Sequence, residues 1–376
     1  MAELLSPAVS IFIFSLASAL LPTLTTLLIH QHHWGSIVIG QVAFFYFLGC
    51  MLGPLWSGHF IRRWGLQRSF LFFVLISAIS TIFQGVVVYP WAWMGLRFVS
   101  GAALSGVFIA IESWFVKAVP SDQKSHSLVL YTFLYYIAVS LGQLLLILKQ
   151  PAGWNLFVTV SVLFVLSLLP MVGRRMLHQK MRQLDMMAIY RVFLVEPWGS
   201  VLMFFSGVYL GVIYSFYPYY LALRGMRESQ IAWVMMLTLA GAGLFQLILA
   251  KIIKRYRTTT ILVIACGVIL ILIGLLSVCS VRQVYVLSFL LGGVVCFFYP
   301  VGLSVLTARC VTEDVVVRVS VGTVFYGLGA SIGPFMLGPL MGYCGHVGLL
   351  IFLALSSVVV IFSTLFQYDS KQSSGC

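Results

Sequence analysis

Two formally charged side chains, Arg97 and Glu112, fall deep inside apolar runs of a chain that otherwise keeps its charges in short gaps between such runs. An ionisable group at membrane depth is costly to hold, so its presence is by default a statement about function. A buried guanidinium can hold the anionic group of a ligand or take part in proton transfer; equally, it can snorkel or bond helix carbonyls. A carboxyl group at such depth can load and release a proton as water reaches it from either side; equally, it can complete an ion pair. Fifteen residues separate the two, or about 22 Å along one helix at 1.5 Å per residue. They therefore cannot pair with each other and act separately.

Other chemistries find little support. An enzyme in the membrane needs clustered carboxylates, histidines or a nucleophile beside its base, and one Glu with no intramembrane His is too little. The seven cysteines are odd in number, lie mostly within apolar runs and show no CxxC spacing, which reads as packing rather than as disulfides or a zinc site. His30, His32 and His33 share one short loop that reads as an exposed polar connection rather than a metal site. No metal and no cofactor are expected, and without a Walker sequence direct ATP drive is not expected either.

The elements that must position Arg97 and Glu112 follow from composition. Of 376 residues, 61% are hydrophobic and 8% charged, and the mean hydropathy is +1.07, far from any soluble domain. A crossing needs roughly 20 apolar residues. Twelve such runs can be drawn, at 9–28, 37–60, 69–89, 91–116, 128–148, 154–172, 199–221, 230–253, 260–279, 284–308, 319–341 and 347–366. The first lacks a basic leader and a clear cleavage site and reads as a retained span. With the gaps assigned alternately, seventeen of the 22 Lys and Arg fall on one side, four on the other and Arg97 within a span. By the positive-inside rule both termini are cytoplasmic. The net charge of +13 then reflects attraction to anionic lipid headgroups, not nucleic-acid binding.

The longest gap, 173–196, is basic and divides the chain into two six-helix halves, 1–172 and 197–376. Within it Met176, Leu177, Met181, Leu184 and Met187 could form an amphipathic helix on the membrane surface; a solvated linker fits equally. A weak repeat supports the division. Leu96-Arg97-Phe98-Val99-Ser100-Gly101 matches Leu287-Ser288-Phe289-Leu290-Leu291-Gly292 at an offset of 191, and Arg62-Arg63-Trp64 faces Lys254-Arg255-Tyr256 at 192. The fold expected is an all-α membrane protein of twelve transmembrane helices in two pseudo-symmetric halves.

After the second run comes Gly58-His59-Phe60-Ile61-Arg62-Arg63-Trp64-Gly65-Leu66-Gln67-Arg68. It resembles the major facilitator signature between helices two and three, Gly-x-Leu-x-Asp-Arg-x-Gly-x-x-Arg, with Arg62 at the acidic position. Gly58 would allow close helix approach and Gly65 a tight turn, and Arg62, Arg63 and Arg68 would hold a gating loop to the headgroups. Arg97-Phe98-Val99-Ser100-Gly101 resembles the second signature, Arg-x-x-x-Gly. With Glu112-Ser113-Trp114, Leu141-Gly142-Gln143 and Tyr299-Pro300-Val301, the whole chain resembles the YcaD-like branch of that superfamily.

The resemblance implies a secondary transporter that moves a small organic solute across the inner membrane by alternating access, coupled to protons and monomeric, with a cavity lined by spans one, four, seven and ten. On or beside those spans Arg97, Glu112, Tyr209, Tyr214, Tyr299 and Gln143 are the candidate substrate or proton pathway. Glu112 could instead pair with Arg62, supplying the acid that the first signature lacks. The glycine-proline pattern of family antiporters is absent from span five, which leans toward uptake or symport. A multidrug efflux pump and a transport-dead receptor on the same fold are the alternatives.

Overall fold

A hydrocarbon core offers no partners to a bare backbone, so a chain this apolar must satisfy its peptide groups within helices. The structure, a computed structural model, describes residues 2–117, 124–148, 154–172, 186–253, 255–308 and 315–373, and among them every regular element is helical. The helices are α1 (Ala2–Gln31), α2 (Ser36–Val86), α3 (Pro90–Lys117), α4 (Lys124–Gly142), α5 (Leu145–Leu148), α6 (Asn155–Leu166), α7 (Met186–Val195), α8 (Pro197–Leu223), α9 (Glu228–Ile252), α10 (Thr258–Val278), α11 (Val281–Val295), α12 (Phe298–Thr307), α13 (Val315–Cys344) and α14 (Val347–Ser373).

Nine of the described helical runs are long and apolar enough to cross a membrane, and Tyr131–Ile147 and Asn155–Met171 are shorter apolar runs. The run Ser36–Val86 is 51 residues long and carries spans two and three, which brings the number to the twelve expected. Its turn is made at Gly65, whose φ of 79° and ψ of 170° are open to glycine and costly for other residues. Span five breaks at Gln143–Leu144, between α4 and α5, and span ten at Cys296–Phe297, between α11 and α12. In span ten Pro300, which lacks an N–H, explains why the helix restarts rather than runs through. Span six ends in a 3₁₀ turn at Leu169–Met171, where Pro170 has the same effect.

The chain forms two compact units, one of Met1–Trp34, Gln41–Gln183 and Glu228–Met236, the other of Gly35–Gly40, Leu184–Arg227 and Leu237–Cys376. In the first, α2 and α3 cross where a Cβ on Gly49 would strike Phe98 O and one on Gly101 would strike Tyr46 O. In the second, α9 and α11 cross where Gly241 meets Phe289 O and Gly292 meets Thr238 O. These four contacts correspond pairwise at the offsets of 191 and 192 seen in the sequence. A third pair follows the same rule: Gly142 lies on Leu16 in the first unit, and Gly333 lies on Val208 in the second. The duplication is thus written into how the helices touch, with small residues admitting the partner backbone.

Each unit adds local fastenings. In the second, Arg224 ends α8 and donates to Leu276 O at 2.8 Å and to Cys279 O at 2.7 Å, meeting the carbonyls left unpaired at the end of α10. At the start of α11 the Ser280 N–H donates to Gln283 Oε1 at 2.9 Å. The linker residues Met176, Leu177, Met181 and Leu184 lie outside the described residues; Met187 lies on α7 and is exposed. That helix is anchored by Val192, which packs with Met203, Leu306 and Val321, and by the stacking of Phe193 on Phe325. Trp91 and Trp154 are exposed at helix starts, as interfacial anchors would be, whereas Trp93 and Trp198 turn inward and are buried.

Candidate functional site

The face of α3 that runs Arg97, Gly101, Phe108, Glu112 repeats every three to four residues and therefore looks in one direction. Arg97 is 3% exposed. Its Nε and Nη1 are buried and have no hydrogen-bond partner, and its Cζ stands 4.3 Å from the centroid of the Tyr46 ring. A ring face attracts a cation but accepts no strong hydrogen bond. Tyr46 in turn interacts with Cys50, one turn along α2. Arg97 can reach this pair because Gly49 and Gly101 remove the side chains that would hold α2 and α3 apart.

Glu112, at the other end of the stripe, accepts a hydrogen bond from the hydroxyl of Tyr131 on α4. That is its contact among the described residues, in place of the Arg62 pair weighed above. Tyr131 is itself buried and packs on Phe115. Between the two ends, Tyr135 of α4 meets the ring of Phe108 edge-on at 5.6 Å and lies near enough to act electrostatically on both Tyr46 and Tyr131. Tyr135 thus lies between the surroundings of Arg97 and those of Glu112.

The remaining candidates are placed differently. Gln143 is fully buried, accepts from Thr23 Oγ1 at 2.8 Å and donates to Ala19 O at 2.6 Å, so its amide holds the broken span five to α1. Tyr209 is fully buried, with its hydroxyl 2.8 Å from Ser357 Oγ and its ring against Phe298. Tyr214 is half-buried on α8. Tyr299 sits just past the break in span ten and packs edge-on against Tyr326 at 5.3 Å. Ser288, which the repeat places opposite Arg97, is buried and bonded to the Tyr217 hydroxyl at 2.5 Å. The two units therefore differ at this matched position of the repeat: the first holds a charge where the second holds a neutral pair. Gly58 is buried and Arg62, Arg63 and Arg68 are exposed around the turn at Gly65.

Cys50 and Tyr131 are the site residues that sequence reasoning missed. Cys50 carries a signal only in hindsight of the crossing, since it follows Tyr46 by one turn and adjoins Gly49. Tyr131 carries none, because its pairing with Glu112 depends on the register between α3 and α4.

Comparison with known proteins agrees with this architecture. The model of the Major Facilitator Superfamily matches residues 8–278 and 199–375. The chain is 25% identical over 370 residues to the uncharacterized MFS-type transporter YcaD of Escherichia fergusonii, covering 97% of this chain and 95% of that one. It is 26% identical over 359 residues to the uncharacterized MFS-type transporter Ent638_1421 of an Enterobacter species, covering 94% and 92%. These are relatives of the kind that the motifs of spans four, five and ten pointed to. Among solved structures, the nucleoside transporter NupG superposes with a TM-score of 0.83 at 16% identity, covering 98% of this chain and 99% of that one. A bacterial homolog of the human lysosomal transporter Spinster, inward-facing and unoccupied, gives 0.75 at 14% identity, covering 97% and 94%. At such identities the likeness is one of fold. With the family model matched along almost its whole length, the chain belongs to the Major Facilitator Superfamily and is a multi-pass membrane transporter rather than an enzyme.

Proposed function

We propose that the protein is a proton-coupled secondary transporter of a small organic solute, resident as a monomer in a bacterial inner membrane with both termini in the cytoplasm. The observation that carries the reading is the single stripe on α3 that bears an unpartnered buried cation at one end and a hydrogen-bonded carboxyl group at the other. An ionisable pair so placed serves solute and proton better than it serves packing. Residues 1–172 and 197–376 act as the two rocking halves, joined by 173–196. Transporters of repeated design bind their cargo near the bilayer midplane.

In this reading Arg97 contacts the solute and Glu112 carries the proton, with Tyr131 setting its orientation. Tyr214 and Tyr299 are the solute contacts proposed for the second half, while Gln143 and Tyr209 support the helices of their own units. The turn at Gly58–Arg68, with Arg62, Arg63 and Gly65, limits how far spans two and three can swing at the cytoplasmic face. Partner chemistry is confined to solute, proton and lipid; nucleic acid has no part in it. The test is proton flux in liposomes holding the purified protein and a pH-sensitive dye, on addition of organic anions, sugars, nucleosides or cationic drugs. A solute-dependent flux that Glu112→Gln abolishes in a folded protein is the expected result. Solute uptake that proceeds with no proton movement would remove the coupling.

A further inference from the structure

The environment of Arg97 also bears on the chemistry of the solute. Two of its N–H-bearing nitrogens are buried without an acceptor, and the groups acting on it are Tyr46 and Cys50, neither of them anionic in their ordinary state. Of the nine Asp and Glu in the chain, Glu112 alone lies within a span, and it is about 22 Å further along the helix. A structural arginine at this depth is normally matched by a carboxylate or by helix carbonyls; this one is matched by the face of a ring. The ring beside it is that of Tyr46, and by sequence Arg97 is the one Lys or Arg drawn deep inside a span.

We propose that Arg97, backed by Tyr46, is the binding site for the carboxylate of an organic monoanion. The guanidinium supplies a planar two-donor fork to the carboxylate, the Tyr46 ring holds it in place from one face, and one positive charge matches one negative charge. Because the fork is covered in the present conformation, the anion meets it when the helices around Arg97 part during the transport cycle. The inference rests on the transporter reading but can fail independently of it.

The test is thermal unfolding of the purified full chain in a chloride-free zwitterionic buffer. The ligands are benzoate, phenylacetate and 4-methyl-2-oxopentanoate, the amides of the same bodies, succinate, uridine and sodium chloride. At least one monocarboxylate is expected to raise the melting temperature where its amide, succinate, uridine and chloride do not. Arg97→Lys, which keeps the charge and loses the fork, is expected to weaken that ligand about ten- to hundredfold. Tyr46→Leu keeps Arg97 and removes its backing ring; it is expected to weaken the same ligand and serves if the lysine variant does not fold. A panel in which no carboxylate exceeds its amide, an affinity unchanged in both variants, or a full effect from chloride alone would each overturn the proposal. Transport of an uncharged solute without anion binding would defeat this inference alone; anion binding with no solute carried would defeat the transport reading alone.

Discussion

A carboxyl group and a phenol that share a hydrogen bond at membrane depth can be separated by removing a single oxygen. Tyr131→Phe takes the donor from Glu112 and leaves the ring packed on Phe115. We expect a stability loss on the order of 1 kcal/mol, since hydrogen bonds between transmembrane helices are individually modest. Transport should suffer more than folding, because the phenol orients the group that carries the proton. Thermal unfolding and solute-driven proton flux, measured on the same preparation, check both halves of this; equal losses in the two would make Tyr131 a packing residue. Arg97 and Glu112 could be picked out by eye, because a charge inside an apolar run needs no structure to be noticed. Their surroundings could not. That Glu112 faces Tyr131 rather than Arg62, and that Gln143 is bonded to α1, depend on helix registers that no spacing along the chain encodes.

At the scale of helices, the crossings make a sharper demand. A Cβ on Gly292 would strike Thr238 O, whereas Gly267, on the neighbouring α10, has nothing within 4 Å of the same point. Gly292→Leu is expected to force α9 and α11 apart and to abolish monodisperse protein after detergent extraction, and Gly101→Leu to do the same at the related crossing of α2 and α3. Gly267→Leu should be extracted at close to wild-type yield. Size-exclusion chromatography of the three variants decides it; tolerance of Gly292→Leu would mean that the crossing is not tight. The existence of the spans was legible from hydropathy, and the repeat from two short matches. The breaks in spans five and ten were not, because a proline or a glycine in a lipid-embedded helix is tolerated whenever neighbours meet the freed backbone groups. The turn at Gly65 was legible as a turn, since its glycine stands at the position where the chain must reverse.

Taken whole, the molecule divides its charges by side, and that division makes a prediction which no single residue supports. Cys344 is exposed at the end of α13, beside the two-residue connection to α14. In the proposed orientation, with both termini cytoplasmic, twelve crossings turn that connection outward. A membrane-impermeant maleimide applied to cells with a permeabilised outer membrane should label Cys344 without disruption of the inner membrane. Labelling only after inner-membrane disruption would invert the topology. The turns that join successive spans also shape how the protein can be made. Spans two and three share one nearly unbroken helical run whose reversal is confined to the residues about Gly65. A reversal that short has no slack to keep one arm waiting in water while the other partitions into lipid. The two arms are therefore committed together, and Gly65 fixes the unit of biosynthetic insertion at this point as a hairpin rather than as two helices in succession.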